Sequence, residues 1–88
     1  MLQAHITISG YVQGIGFRQF IKSKARQLGI TGWVRNTPEG KVEAVLQGDK
    51  EKIEQLILLC KKGPFLAEVK KVEMLWEEGR AFTEFLIG

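Results

Sequence analysis

The chain has 88 residues, 44% apolar and 26% charged, with 13 Lys and Arg against 10 Asp and Glu for a net charge of +3. That length fits one domain, residues 1–88, able to bury about 60–65% of its unfolded surface, and the composition is ordinary for a globular protein. There is no run of about 18 apolar residues to span a membrane, no signal-peptide pattern at Met1–His5, no second cysteine for a disulfide or a cysteine-based metal site, and no basic block of the kind that marks nucleic-acid binding; a cytosolic setting is expected.

Residues 4–12 predict the first strand, with Ile6, Ile8 and Gly10 on one face and His5, Thr7 and Ser9 on the other. The single histidine, His5, falls on the polar face, where a solvent-exposed or edge position is expected rather than catalysis. From Phe17 the period lengthens. Phe17, Phe20, Ile21, Ala25 and Leu28 form an apolar stripe, with Lys22, Lys24, Arg26 and Gln27 opposite. This is an amphipathic helix closed by Gly29 just past its end.

Between that strand and helix lies Gly10-Tyr11-Val12-Gln13-Gly14-Ile15-Gly16-Phe17-Arg18. Glycines let the backbone approach a ligand and turn its N–H groups toward it. The helix N-terminus adds unpaired donors and partial positive charge. Arg18, one residue into the helix, adds a planar fork matched to phosphate. Together these features predict an anion cradle for a phosphate or a carboxylate.

Residues 30–35 predict a second strand, 36–40 a turn rich in turn formers, and 41–47 a third strand, completing a hairpin. Asp49 is placed to cap a second helix without a capping box. Ile53, Leu56, Ile57 and Cys60 lie at i, i+3, i+4 and i+7, Leu58 and Leu59 widen the apolar face, and Gly63-Pro64 ends the helix. Cys60 reads as a small buried hydrophobe. Val72, Met74 and Trp76 alternate with Glu73, Leu75 and Glu77 in a fourth strand, Glu78-Gly79-Arg80 turns, and Phe82–Ile87 forms a last short strand.

The order is β-α-β-β-α-β plus a terminal strand. It predicts an α+β, ferredoxin-like sandwich: an antiparallel sheet with two helices on one face. The second strand is expected to return Asn36 to the end of the sheet where Gly14–Arg18 lie, across a small pocket.

Two stretches carry a family resemblance. Gly10-Tyr11-Val12-Gln13-Gly14-Ile15-Gly16-Phe17-Arg18 resembles the phosphate-binding signature of the acylphosphatase family, Gly-x-Val-Gln-Gly-Val-x-Phe-Arg, with Ile15 in place of the usual Val. Gly32-Trp33-Val34-Arg35-Asn36, followed by Gly40-Lys41-Val42-Glu43, resembles the family's second signature. The resemblance spans essentially the whole chain and implies the same β-α-β-β-α-β fold. It implies an enzyme that hydrolyses small-molecule acyl phosphates to a carboxylate and inorganic phosphate, with no metal and no covalent phosphoenzyme; no cofactor and a monomer are expected. By the same resemblance Arg18 binds the phosphoryl group and Asn36 positions the attacking water, while Gln13, Gly14, Ile15, Gly16, Phe17 and Arg18 form the phosphate-binding loop.

The residues make independent chemical sense of that reaction. A carboxylate leaving group, with a pKa of about 4 by analogy with Asp and Glu, departs without a strong general acid. Phosphoryl transfer asks mainly for positioning and for stabilisation of charge on the equatorial oxygens. Backbone N–H groups of residues 13–18 and the Arg18 fork answer the second need. A carboxamide at Asn36 orients a water without titrating.

Two rival readings share parts of the pattern. RNA-recognition domains have this element order but stack bases on aromatic residues of the first and third strands, and residues 41–47 contain none. A non-catalytic phosphate- or acyl-phosphate-binding domain would keep the same cradle and hold the anion without turnover.

Overall fold

The computed structural model describes residues 1–88. Its elements are β1 (Leu2–Tyr11), α1 (Phe17–Gln27), β2 (Thr31–Asn36), β3 (Val42–Gln47), α2 (Lys50–Lys62), β4 (Glu68–Glu78) and β5 (Phe85–Ile87). The five strands form one sheet in the order β4-β1-β3-β2-β5. The helices pack on one face of it, which is the ferredoxin-like arrangement.

Period-2 alternation makes the sheet two-sided. Ala4, Ile6 and Ile8 of β1, Val34 of β2, and Val42, Ala44 and Leu46 of β3 are all fully buried on the helix side. Phe17, Ile21 and Ala25 of α1 and Ile53, Leu56 and Cys60 of α2 close over them. The spacings 17-21-25 and 53-56-60 keep these side chains on one stripe of each helix.

Leu58 and Leu59 are a correction. They are 64% and 39% exposed, because at about 100° per residue they rotate off the stripe that Ile57 and Cys60 bury. Both helix ends follow their local signals. The Asp49 carboxylate accepts the Glu51 N–H at 2.8 Å, and Gly29 and Gly63 follow the last residues of α1 and α2 with positive φ.

The sheet is mixed rather than wholly antiparallel. β1 pairs antiparallel with β3 and β4, and β2 with β3, but β5 runs parallel to β2. The chain leaves β4 at one edge, crosses the end of the sheet and enters the opposite edge, so its single reversal gives it the direction of β2. The crossing explains why residues 82–84 are not strand. The carboxamide of Gln47, fully buried, donates to the Arg80 carbonyl at 2.8 Å and accepts the Phe82 N–H at 2.9 Å. A side chain satisfies there what a ladder would otherwise satisfy.

β4 is longer than its apolar alternation indicates, beginning at Glu68. It is an edge strand, where charged residues such as Lys70 and Lys71 are tolerated and blunt edge-to-edge pairing. A bulge at Ser9/Gly10 shifts its register against β1 near the cradle. No helix is long and apolar enough to cross a membrane.

Candidate functional site

β1 ends at Tyr11 and α1 begins at Phe17, so five residues turn the chain from sheet to helix. Gly14 and Gly16 make that turn with φ of 78° and 81°. Side-chain-bearing residues pay roughly 1–2 kcal/mol for that left-handed region, and glycine does not. Gly16 is the N-cap of α1 and no side chain caps the helix. Its carbonyl accepts the Phe20 N–H at 3.0 Å, so the N–H groups of Phe17, Arg18 and Gln19 precede the first intrahelical bond. No acidic residue lies in the first turn. The partial positive charge of the helix terminus, about half a unit, therefore faces the loop without an acidic side chain in the first turn to offset it.

A cavity of about 160 Å³ opens at this point, lined by Val12, Gly14, Gly16, Phe17, Arg18, Gln19, Asn36 and Ile87. It is smaller than the roughly 300–1,000 Å³ of pockets that take drug-sized ligands, a scale suited to a compact group. Arg18 and Asn36 come from α1 and the end of β2 and share this lining. Asn36 is half-buried and pairs with Val42 in the β2–β3 ladder, which fixes where its backbone stands. Arg18 Nη1 donates to the main-chain oxygen of Gly88 at 3.1 Å. That bond engages one of five guanidinium N–H donors and fixes the direction of the fork.

The sequence-predicted loop residues divide into two groups. Gly14, Gly16, Phe17 and Arg18 line the cavity, while Gln13 and Ile15 do not. The Gln13 side chain turns the other way: its Nε2 donates to the Thr37 and Lys41 carbonyls, each at 2.9 Å. Ile15 is half-buried and packs against the hydrophobic core. Gln19 and Ile87 line the cavity without having been anticipated. Gln19 is signalled only by following Arg18 on the helix. Ile87 arrives through the parallel pairing of Val34 with Ile87, two residues before Asn36.

His5 is also a correction. β1 lies inside the sheet, so His5 is not at an edge, and its side chain is 27% exposed. On the helix-free face its Nε2 meets Glu43 at 2.5 Å and its Nδ1 meets Glu77 at 3.3 Å. Arg35 binds the other Glu43 oxygen from Nη2 at 2.6 Å and from Nε at 2.7 Å. Burial by itself lowers the His5 pKa, but the hydrogen bonds and charges of Glu43 and Glu77 outweigh it, so the net shift is upward. Burial likewise raises Glu43, and His5 with Arg35 more than reverse it, so its net shift is downward. This network lies on the face of the sheet opposite the helices, away from the cavity. No group of three or more His, Cys, Asp or Glu side chains is arranged to hold a metal ion.

A family model described as Acylphosphatase matches residues 4–87. An acylphosphatase of Thermococcus kodakarensis is 49% identical over 86 residues, covering 98% of this chain and 94% of that protein. The crystal structure of acylphosphatase from Bacillus subtilis superposes with a TM-score of 0.95 at 29% identity, covering 100% of this chain and 99% of that one. The T. kodakarensis HypF structure matches with a TM-score of 0.88 at 33% identity, covering 100% of this chain and 12% of that one.

Proposed function

The chain belongs to the acylphosphatase family, and from that membership we propose that it hydrolyses the carboxyl-phosphate bond of small acyl phosphates, releasing a carboxylate and inorganic phosphate. The observation that carries this reading is the small cavity that Arg18 and Asn36 line together beside a helix N-terminus with no side-chain cap.

In this reading the cradle holds the phosphoryl group. The N–H groups of Phe17, Arg18 and Gln19, the partial charge of α1 and the free donors of the Arg18 fork face its equatorial oxygens. The Asn36 carboxamide orients a water toward phosphorus. The water oxygen forms the new P–O bond as the bond from phosphorus to the acyl oxygen breaks. The bonding pair leaves on the carboxylate, and the water's protons pass to phosphate and solvent. A leaving group with a pKa of about 4 needs no proton from the protein, and the cavity lining contains no carboxylate, histidine or cysteine to give one. Positioning and charge stabilisation then carry the rate.

The reading places the whole apparatus in one copy of the chain, as a monomer, because the cradle, Arg18 and Asn36 all come from it. Its single cysteine is free and buried, so the fold needs no disulfide, which fits a reducing compartment. The test is release of phosphate from a synthetic acyl phosphate such as benzoyl phosphate, with and without chelator. Turnover unchanged by chelator is expected. Loss of turnover on chelation overturns the metal-free route, and tight phosphate binding with no turnover makes the chain a binding domain instead.

A further inference from the structure

Gln13 stands in the loop between β1 and α1 but outside the cavity lining. Its side chain is half-buried, and its Nε2 reaches the carbonyls of Thr37 and Lys41, each at 2.9 Å. A primary carboxamide has two N–H donors, and this geometry gives one to each carbonyl. Those carbonyls close the turn between β2 and β3. The Lys41 carbonyl also accepts the Thr37 N–H at 2.8 Å, and the Thr37 carbonyl accepts the Gly40 N–H at 3.1 Å. The Thr37 hydroxyl completes the ring by accepting the Lys41 N–H at 3.1 Å.

The turn is thus internally rigid, and the Gln13 carboxamide joins it to the cradle. Asn36 is the residue immediately before Thr37. Gly14, which lines the cavity, is the residue immediately after Gln13. One side chain therefore links the segment that carries Asn36 to the segment that leads into Gly14, Gly16 and Arg18.

Resting on the acyl phosphate hydrolysis proposed above, we infer that Gln13 is a positioning residue: its clamp on Thr37 and Lys41 holds Asn36 in register with the phosphoryl cradle. Gln13 touches neither water nor phosphate through its side chain. It acts by fixing the separation between two groups that do. Reaction rates fall steeply with such misplacement, about 10²-fold for 1 Å. Phosphate binding depends on Arg18 and the α1 N–H groups, which stay on their own rigid helix when the clamp is cut.

Three variants test this. Gln13→Met keeps the length without donors, Gln13→Asn keeps the carboxamide one methylene short of both carbonyls, and Gln13→Met combined with Asn36→Ala removes the group the clamp serves. The measurements are kcat on benzoyl phosphate and the competitive inhibition constant of inorganic phosphate, taken well below each variant's melting temperature. Both single variants are expected to lower kcat about 10-fold or more while phosphate inhibition stays within about 2-fold. Adding Gln13→Met to Asn36→Ala is expected to lower kcat little further, because the two act as one unit. A kcat within about 2-fold of the parent in either single variant overturns the clamp, as does a full additional loss on the Asn36→Ala background. Equal weakening of phosphate inhibition and kcat also overturns it, as a general distortion of the cradle. If one variant does not fold, the other decides. An unmodified protein that turns over no acyl phosphate defeats the hydrolysis reading itself, whereas normal turnover with an inert Gln13 defeats only the clamp.

Discussion

Arg18 Nη1 donates to the main-chain oxygen of Gly88 at 3.1 Å, linking the cation that lines the cavity to the residue that follows β5. Gly88 is itself held by its N–H bond to the Val34 carbonyl at 2.8 Å. The fork thus leans on a ladder that also carries β2, the strand that ends in Asn36. Arg18 is oriented before any ligand arrives, and preorganised donors are the ones that act most strongly on developing charge.

Arg18→Ala is therefore expected to lower kcat/KM on benzoyl phosphate by at least about 10²–10³-fold, the loss typical of one preorganised oxyanion donor. Arg18→Lys should restore little of it. An ammonium keeps the charge but presents no planar fork to reach the Gly88 main-chain oxygen and an anion together. Steady-state kinetics of the two variants check this, and near-parental turnover by Arg18→Ala would remove Arg18 from the site.

Asn36→Ala should separate the two halves of the cavity. With Arg18 and the helix N-terminus intact, inorganic phosphate is expected to inhibit competitively within about 3-fold of the parent, while kcat falls about 10²-fold as the water loses its orientation. A loss confined to phosphate affinity would instead make Asn36 a phosphate ligand.

That Gly14, Gly16, Arg18 and Asn36 would line one cavity was legible in the sequence because the features that mark them are local. The Gly14, Gly16 and Arg18 spacing describes a turn and a helix entrance that neighbouring residues alone build, and Asn36 sits at the end of an alternating strand. What Gln13 does was not legible. Its partners are two backbone carbonyls 24 and 28 residues away, and every residue type offers a carbonyl. Ile87 reaches the cavity only because β5 pairs parallel with β2, a long crossing that no local pattern encodes. The same limit hid the end of the crossing, where the buried Gln47 side chain replaces strand bonds at Phe82. The amino-terminal half of β4 was obscured for a different reason: an edge strand carries charges that mask its alternation.

Gly16→Ala tests the turn. Beyond Gly16 and its two chain neighbours, no heavy atom lies within 4 Å of where the new Cβ would stand, so crowding does not enter, and the cost is the left-handed φ of 81°. That is roughly 1–2 kcal/mol, and melting temperature should fall by about 4–8 °C for each kcal/mol in a domain of this size. Activity is expected to fall further than stability, because relaxing φ re-aims the N–H groups of the first helical turn. Thermal unfolding followed by circular dichroism checks the first expectation and kinetics the second; an unchanged melting temperature would show that the turn relaxes without strain.

His5 sets a pH dependence of stability. Its folded pKa is raised above the ordinary 6.5, so the stability it contributes is complete below about pH 6.5 and is lost as pH climbs through the folded value. Glu43 has its folded pKa lowered below the ordinary 4.5, so its contribution is present above about pH 4.5 and is lost as pH falls through the folded value. The pair therefore favours a window between about pH 4.5 and 6.5. Glu77 and Glu73 from β4 and Arg35 from β2 share this face and set the size of the effect. Urea midpoints measured from about pH 5 to 8 should decline for the parent above about pH 6.5 and stay flatter for His5→Gln. Parallel profiles for the two proteins would rule out His5 as the source.

Cys60 gives a direct reading of how the core opens. It is fully buried under α2, and burial pushes its thiol up to about 12. Only the thiolate attacks a disulfide reagent, so reaction in the native state at neutral pH is blocked twice, by access and by ionisation. An aromatic disulfide reagent is expected to label less than a tenth of the native protein in the time that it labels all of the protein unfolded in urea. In sub-denaturing urea the labelling rate should follow the population of the open state rather than reagent access to a surface, since Ile53, Leu56 and Ile57 bury the same stripe and open with it. Rapid stoichiometric labelling without denaturant would mean that α2 leaves the sheet under native conditions, and the core described here would then lack one of its two lids.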